Sequence, residues 1–307
     1  MAKKIAVSVG DLNGIGIEIA LKAHKEISKK VNPIYIIDRL MLKQAAKLLN
    51  LKVPKDFNTI APDAAPFNIK PGEVSKKSGE YSYASFIKAI ELAAKNEVDA
   101  ITTLPINKEA WSKASLGYKG HTEVLRDYFK KDAIMMLGCP KMYVALYTEH
   151  IPLKKVAKEI KAKKLYKFFK NLNSSLKTNE KIAILALNPH AGDNGVLGKE
   201  EKDIKKAIKL INSDLNQERF IGPIVPDIAF TPKFRKNFKY FVAMYHDQGL
   251  APLKALYFDE SINVSLNLPI LRTSVDHGTA FDIAYKSGRQ LNLKSYLNAI
   301  EYIVNNS

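Results

Sequence analysis

Three histidines occur in a context that could bind a metal ion. His150, His190 and His246 each come a few residues after a short apolar run. If these runs are parallel strands, their C-terminal ends meet at one edge of a sheet, where open α/β sheets bind ligands. Three imidazoles suit Zn, Co and similar divalent cations and leave coordination positions open for a substrate. The three histidines are far apart in sequence, so no local zinc-finger pattern supports this prediction.

A second set of polar residues could bind an anion. Lys254 lies eight residues after His246, and Asn263 and Arg272 follow it in the chain. Arginine offers two parallel hydrogen bonds to a phosphate or a carboxylate, whereas lysine acts as a point charge. Any single lysine in so lysine-rich a chain is more often plain surface charge. The prediction is therefore that Lys254, Asn263 and Arg272 together form an anion site.

The segment Gly120-His121-Thr122-Glu123 predicts the start of a helix. One interpretation is structural: Thr122 or its neighbour caps the helix, and Glu123 lies in the first turn. The other places His121, Thr122 and the helix N-terminus around an anion. The residues alone leave both interpretations open.

Two glycine-containing loops have weaker signals. The stretch Gly10–Glu18 lies between a strand-like run and a helix-like run, but Ile19 stands where a dinucleotide fingerprint needs glycine. It also lacks the Gly-Lys-Ser/Thr of a P-loop. The residues therefore allow two interpretations of this stretch, a tight turn or a ligand-binding loop. The stretch 276–284 predicts a loop entering a helix, with Gly278 permitting a close approach of the backbone.

The elements that must position these residues alternate between strand and helix patterns. Several of the short apolar runs have apolar residues at nearly every position, as strands covered on both faces do. This alternation predicts an α/β fold with a largely parallel sheet. Residues 62–77 predict a surface loop, and His24 is expected at the surface of a lysine-rich helix. The predicted strands are Ile5–Val9, Ile34–Ile37, Ala100–Leu104, Tyr143–Tyr147, Ile182–Leu187, Tyr240–Met244 and Ile262–Leu266.

The composition narrows the class of protein. The 307 residues include a single cysteine, Cys139, so an intramolecular disulfide is impossible. No apolar run reaches the length of a membrane span, and no secretory leader is evident, so we expect a soluble cytoplasmic protein. The net charge of +17 raises a nucleic-acid partner as a remote alternative. Only six of the 48 basic residues are arginine, which favours a lysine-rich surface that attracts small anions and binds no nucleic acid.

Taken together, these motifs resemble the 4-hydroxythreonine-4-phosphate dehydrogenases of pyridoxal phosphate (vitamin B6) biosynthesis. The resemblance implies a two-domain α/β fold like that of isocitrate and isopropylmalate dehydrogenases, not a Rossmann fold. It implies a cofactor-side domain of residues 1–115 and 265–307, and a second domain of residues 116–264 with the metal ligands and dimer contacts. The segments that carry it are Gly10–Glu18, Leu104–Lys108, Gly120–Glu123, His150–Leu153, Asn188–Gly192, Tyr245–Leu250 and Arg272–Ala284.

The family's site residues can be carried over position by position. The resemblance makes His150, His190 and His246 the ligands of one divalent cation (Zn, Mg or Co) per subunit. It implies a homodimer with the active site at the subunit interface. The chain departs from the usual pattern at Leu12-Asn13, where Pro-Ala is common, and at Tyr285, where Gly is common. The implied substrate contacts are His121, Thr122, Lys254, Asn263 and Arg272.

The loop after Arg272 indicates the cofactor. Residues 277–284 resemble the adenosine-binding loop of related decarboxylating dehydrogenases, which implies contacts from His277, Gly278, Thr279 and Asp282. A carboxylate at Asp282 can accept hydrogen bonds from ribose hydroxyls but repels a 2′-phosphate. We therefore expect NAD rather than NADP.

The implied reaction is the NAD-dependent oxidation of 4-phosphooxy-L-threonine to 2-amino-3-oxo-4-phosphooxybutanoate. This product decarboxylates to 3-amino-2-oxopropyl phosphate on the route to pyridoxine 5′-phosphate. The general base is not identifiable, and Asp247 is expected to orient His246. The alternative within the family is a dehydrogenase of four-carbon phosphorylated sugar acids such as 4-phosphothreonate or 4-phosphoerythronate.

Overall fold

The computed structural model describes residues 2–306, which divide into two compact units. The first unit contains the chain up to residue 132, residues 262–264 and the chain from residue 268. The second contains residues 133–261 and 265–267. The sequence placed residues 116–132 in the second domain, whereas the structure places them in the first. The reason is that Val124 and Leu125 of this segment pack with Phe86 and Trp111.

The first unit is a parallel sheet covered on both faces. Its elements are β1 (Lys4–Ser8), α1 (Gly16–Ile27), β2 (Asn32–Ile36), α2 (Arg39–Leu49), β3 (Thr59–Ile60), α3 (Lys76–Ala94), β4 (Ala100–Thr103), α4 (Lys108–Lys113), α5 (His121–Phe129), β11 (Leu271–Val275) and α12 (Lys294–Asn306). The strand order is β3-β2-β1-β4-β11, and every pairing is parallel.

The alternation of side chains along β1 explains its uninterrupted apolar run. Ile5 and Val7 pack on one face with residues of α1, α2 and α12. Ala6, between them, packs on the other face with Phe86 of α3 and Trp111 of α4. Successive side chains point to opposite faces of a strand, so a sheet with two covered faces needs an apolar residue at each position.

The second unit contains a mixed sheet. Its elements are β5 (Ile134–Cys139), β6 (Met142–Leu146), α6 (Leu153–Glu159), α7 (Ala162–Ser175), β7 (Ile182–Leu185), α8 (Glu201–Leu215), β8 (Phe220–Ile224), α9 (Pro226–Ala229), α10 (Pro232–Arg235), β9 (Tyr240–Ala243) and α11 (His246–Tyr257). Strands β5 and β6 pair antiparallel, and the order continues β6-β9-β7-β8 in parallel. The C-terminal ends of β6, β9 and β7 therefore lie side by side.

All seven predicted strands are present within one or two residues, and β10 (Ile262–Leu266) is confirmed at both ends. The sequence missed β11 because Arg272, Thr273 and Ser274 interrupt its apolar pattern, although all three are buried. The expectation for His24 is wrong: its ring is buried, with Nδ1 3.0 Å from the Tyr35 hydroxyl and Nε2 3.1 Å from the Asp56 carboxylate. Among the helices of residues 2–306, none combines the length and apolar character needed to cross a membrane.

Candidate active site

Arg272 is the central residue of the predicted anion site. It lies on β11 with only 2% of its surface exposed, and its Nη2 donates a 2.6 Å hydrogen bond to Thr103 Oγ1 at the end of β4. Burial lowers the pKa of Arg272 to about 9, because a charged guanidinium loses its hydration there. A bound anion would offset this cost, so the first unit contains a buried cation suited to a phosphate or a carboxylate.

His121 lies close to this cation. It is the first residue of α5, and its ring packs edge-on against Phe86 at a centroid distance of 4.5 Å. Burial, with the nearby charges of Arg272 and Lys108, holds the pKa of His121 well below its usual value. Its buried Nε2 has no hydrogen-bond partner among residues 2–306. A neutral imidazole with its proton on this nitrogen can donate a hydrogen bond to an anion, which favours the anion interpretation of this helix start.

The structural interpretation of this helix start is met in one part only: Glu123 lies in the first turn, but the expected side-chain cap is not formed. Gly120 occupies the cap position, and no side chain caps the helix. Thr122 lies half-buried in the first turn, next to His121. Glu123, also in that turn, accepts a 2.6 Å hydrogen bond from the backbone N–H of Lys119. The hydroxyl of Thr122 is therefore not used as a cap.

Lys108 is a second cationic residue at this site, beside Arg272, and the sequence did not single it out. A side chain built at Gly120 would meet Lys108 Cε at 3.9 Å, next to His121. Lys108 is also one of the two charges that lower the pKa of His121. Its place at the start of α4, directly after β4, was the available signal, because β4 also carries Thr103.

Asn263 and Lys254 complete the predicted substrate contacts. Asn263 lies on β10 in the first unit, and its Oδ1 is buried without a hydrogen-bond partner among residues 2–306. Lys254 lies on α11 of the second unit, half-buried, with its Nζ 5.2 Å from the ring centroid of Phe258. Their roles as substrate contacts stay predictions.

The predicted cofactor loop follows β11 but does not enter a helix. Residues 281–285 form turns, and α12 begins only at Lys294. No atom of the described chain lies within 4 Å of the position of an added Cβ at Gly278, so the close approach predicted there is not made to the chain itself. His277 Nδ1 lies 3.1 Å from the Gly278 carbonyl, and Asp282 is exposed. Asp282 is thus accessible to a ribose.

Thr279 joins the cofactor loop to the turn between β1 and α1. Its carbonyl accepts a 3.1 Å hydrogen bond from the Ile15 N–H, and a Cβ on Gly14 would stand 2.7 Å from that oxygen. A Cβ on Gly10, where φ is +70°, would stand 2.2 Å from the Pro105 carbonyl. The chain itself fills the space beside both glycines, which favours the tight-turn interpretation over a ligand loop.

The two departures from the family's usual pattern touch each other. The hydroxyl of Tyr285 donates a 2.7 Å hydrogen bond to the carbonyl of Leu12. Asn13 donates to the Glu73 carbonyl at 2.7 Å and accepts from the Lys70 N–H at 2.9 Å. These residues tie the turn to the cofactor loop and to the loop before α3.

The structure brings two of the three histidines together. His150 and His246 have ring centroids 5.4 Å apart, a separation at which both can bind one cation. Asp247 Oδ1 lies 2.8 Å from His246 Nδ1, as expected for an orienting carboxylate, and leaves Nε2 for the ion. His190 does not join this pair, since residues 2–306 contain no group of three or more His, Cys, Asp or Glu arranged for a metal.

His190 begins a left-handed turn. Residues 190–194 all have positive φ, from +41° to +78°, although only Gly192 among them is a glycine. Such a run is costly for ordinary L-residues and persists only where other contacts hold it. Gly192, Asp193 and Asn194 are residue types that adopt positive φ readily, whereas Ala191 is not. The turn leaves His190 exposed.

Sequence comparison identifies the relatives of this chain. Residues 29–303 match the family model described as pyridoxal phosphate biosynthetic protein PdxA. A 4-hydroxythreonine-4-phosphate dehydrogenase from Sulfurimonas denitrificans is 63% identical over 97% of this chain and 96% of its own length. The enzyme of the same name from Helicobacter pylori strain HPAG1 is 50% identical over 98% of this chain and 99% of its own length.

Solved structures agree with the fold. A putative 4-hydroxythreonine-4-phosphate dehydrogenase from Salmonella typhimurium superposes with a TM-score of 0.84 at 31% identity, covering all of both chains. One from Burkholderia phymatum gives 0.82 at 30% identity, covering 99% of this chain and 98% of its own. The α/β fold that the resemblance implied is confirmed.

Proposed function

The chain belongs to the family of pyridoxal phosphate biosynthetic proteins PdxA, and we propose that it oxidises 4-phosphooxy-L-threonine with NAD. The product, 2-amino-3-oxo-4-phosphooxybutanoate, is a β-keto acid that loses CO2 to give 3-amino-2-oxopropyl phosphate. Close relatives that span nearly the whole chain are named as dehydrogenases of this substrate. The proposal places the reaction in the biosynthesis of pyridoxine 5′-phosphate.

The observation that carries the proposal is the buried cation of the first unit. Arg272 is buried on β11, bonds Thr103 at the end of β4, and lies near His121, whose buried Nε2 has no partner among residues 2–306. Lys108 lies beside the same histidine. We propose that Arg272, Lys108, His121 and Thr122 bind the substrate phosphate, because a dianion needs more than one cationic donor. Asn263 and Lys254 are proposed as further polar contacts.

The histidine pair fits a divalent cation of the borderline class. His150 and His246 supply two imidazoles at bonding separation, and Asp247 sets the orientation of one ring. We propose that these two residues hold the ion; His190 lies outside this pair in the structure, and its role as a third ligand stays a prediction. When bound, such an ion lowers the pKa of a substrate hydroxyl and polarises the ketone formed from it. Zn, Co and Mg all remain candidates.

The chain's own residues have positioning and electrostatic roles in this reaction. Binding of the phosphate uses energy from a remote part of the substrate to align the reacting carbon. Asp282, exposed on the cofactor loop, is proposed to accept hydrogen bonds from the adenosine ribose, while NAD supplies the hydride acceptor. The homodimer with a shared site remains a prediction.

The test is an assay of NADH formation with 4-phosphooxy-L-threonine and, separately, with 4-phosphothreonate. The proposal predicts turnover of the amino-acid phosphate with a kcat/KM at least tenfold higher than that of the sugar-acid phosphate. Preference for 4-phosphothreonate would assign the chain to the alternative dehydrogenase. An absence of NADH formation with either substrate would overturn the proposed activity.

A further inference from the structure

We propose that three buried side chains, Thr148, Gln248 and Glu201, are positioning residues for the three histidines of the second unit. Each binds backbone groups just past the C-terminal end of a strand, in the segment that leads from that strand to one of the histidines. We call them the strand-end belt. The inference rests on the proposed metal site and adds residues that hold its ligands in place.

Gln248 joins the ends of two strands. It lies in the first turn of α11, two residues after His246, and is buried. Its Nε2 donates a 2.6 Å hydrogen bond to the Ala186 carbonyl, just past β7. Its Oε1 accepts a 2.7 Å hydrogen bond from the Met244 N–H, just past β9. One amide therefore fixes the strand end leading to His190 against the strand end leading to His246.

Thr148 makes the matching link on the other side of β9. It is buried two residues before His150, and its Oγ1 donates a 2.7 Å hydrogen bond to the Met244 carbonyl. Met244 thus binds Gln248 through its N–H and Thr148 through its carbonyl. This arrangement fixes the distance between the His150 loop and the His246 helix, in agreement with the contact between the rings of these two histidines.

Glu201 holds the start of the His190 loop. Its buried carboxylate lies in α8, and Oε1 accepts hydrogen bonds from the N–H groups of Leu187, at 3.1 Å, and Asn188, at 2.8 Å. The Asn188 amide donates to the same carboxylate at 3.0 Å. A Cβ on Gly192 would stand 2.5 Å from Glu201 Oε2. The Glu201 carboxylate therefore contacts the chain on both sides of His190, at Leu187 and Asn188 before it and beside Gly192 after it.

The chemistry of these residues argues for positioning rather than filling of the core. A buried amide, hydroxyl or carboxylate costs free energy unless every polar atom is bonded, and an apolar residue of the same size avoids that cost. Here Thr148, Gln248 and Glu201 Oε1 bond the backbone that leads to the histidines, and Glu201 Oε2 bonds the side-chain amide of Asn188 in the same segment. Outer residues that orient metal ligands commonly change metal affinity by about 10- to 100-fold when they are replaced.

The test measures divalent-cation affinity directly. The metal-free protein, as wild type and as Gln248→Met, Glu201→Gln, Thr148→Val and Thr148→Ser, is titrated calorimetrically with Zn²⁺ and with Co²⁺. We expect Gln248→Met, Glu201→Gln and Thr148→Val each to weaken binding about tenfold or more. Thr148→Ser, which keeps the hydroxyl, should restore most of the affinity. The Co²⁺ absorption spectrum should change in the weakened variants, which a loss of general stability alone would not cause.

The matched control is Gln44→Met. Gln44 also binds backbone with both ends of its amide, at the Phe67 carbonyl and the Ile69 N–H, but it belongs to the first unit. Its replacement should lower the melting temperature of the metal-free protein and leave the cation affinity unchanged. Wild-type affinity in the belt variants, or equal weakening in Gln44→Met, would overturn the positioning role. If the wild type binds neither cation, it is the proposed metal site that fails.

Discussion

At the scale of single residues, Arg272 carries the strongest functional signal. Its burial lowers its pKa to about 9, which means that the folded protein holds a cation at a cost. Proteins bury charge in this way where a ligand or a partner offsets the cost. The phosphate of the proposed substrate is such a ligand.

Inorganic phosphate should therefore stabilise the protein through Arg272. At a concentration of one hundred times Kd, the stabilisation should be about 2.7 kcal/mol. Arg272→Met should abolish the rise in melting temperature, and Arg272→Lys should retain part of it because the charge remains without the fork geometry. Thermal melts across a phosphate series provide the measurement.

A second buried arginine provides the control for this prediction. Arg219 in the second unit binds the Asn173 amide oxygen and the carbonyls of Thr178 and Glu180. Arg219→Met should lower the melting temperature but keep the response to phosphate. An unchanged response in Arg272→Met would show that Arg272 does not bind the anion.

Asp282 should determine the cofactor preference. Replacing it with Asn removes the repulsion of a 2′-phosphate and weakens the hydrogen bonds to ribose, and hydrogen bonds to charged groups are worth about 1.5–3 kcal/mol. We expect the ratio of kcat/KM for NAD over NADP to fall about tenfold or more in Asp282→Asn. Steady-state kinetics with both cofactors measure it, and equal efficiency with both in the wild type would contradict this role.

At the scale of elements, the turn between β1 and α1 contains a buried carboxylate whose effect on the free energy of unfolding depends on pH. Asp11 is fully buried and accepts hydrogen bonds from the Asn13 N–H at 2.9 Å and the Ser78 hydroxyl at 3.1 Å. Burial raises its pKa from 3.8 to about 6, in spite of these hydrogen bonds. The folded state therefore binds the proton more tightly than the unfolded state does.

The sign of this effect fixes a prediction. Between pH 4 and pH 6 the native protein holds the proton that the unfolded chain releases, so the contribution of Asp11 to stability falls as pH rises through that range. Asp11→Asn should be more stable than the wild type by about 1–3 kcal/mol at pH 8, and by much less at pH 4.5. Urea unfolding at both pH values measures this, and an equal effect at the two would contradict it.

The elements also show what the sequence could and could not predict. The parallel strands were predictable because both faces of the sheets are covered, which makes runs such as Ile182–Leu185 continuously apolar. The left-handed turn was not predicted, because Ala191 within it does not favour positive φ and the Glu201 carboxylate beside Gly192 comes later in the chain. Lys108 was hidden among many lysines; its position at the start of α4 was a weak signal, and its proximity to His121 in the fold distinguishes it.

At the scale of the whole molecule, the lysines behave as surface charge. Many pair with carboxylates one helical turn away, as Lys76 does with Glu80 and Lys113 with Glu109, and such exposed pairs contribute little to stability. The net charge of +17 remains large and attracts anionic small molecules. The proposed phosphorylated substrate and a dinucleotide are both anions that this positive charge would attract.

The two units divide the predicted chemistry between them. The first contains the buried cation, the open histidine nitrogen and the cofactor loop, and the second contains the histidine pair and the strand-end belt. The anion site and the cation site can therefore be tested with different variants. Loss of the metal should remove turnover without abolishing the stabilisation by phosphate.

The most direct measurement is the initial rate of NADH formation from 4-phosphooxy-L-threonine before chelation, after chelation with metal loss verified by elemental analysis, and after return of Zn²⁺, Co²⁺ or Mg²⁺. The rate should fall to background on removal of the metal and recover with at least one of the three cations. His246→Ala should stay near background throughout. A full rate from verified metal-free protein, or from His246→Ala, would contradict the account.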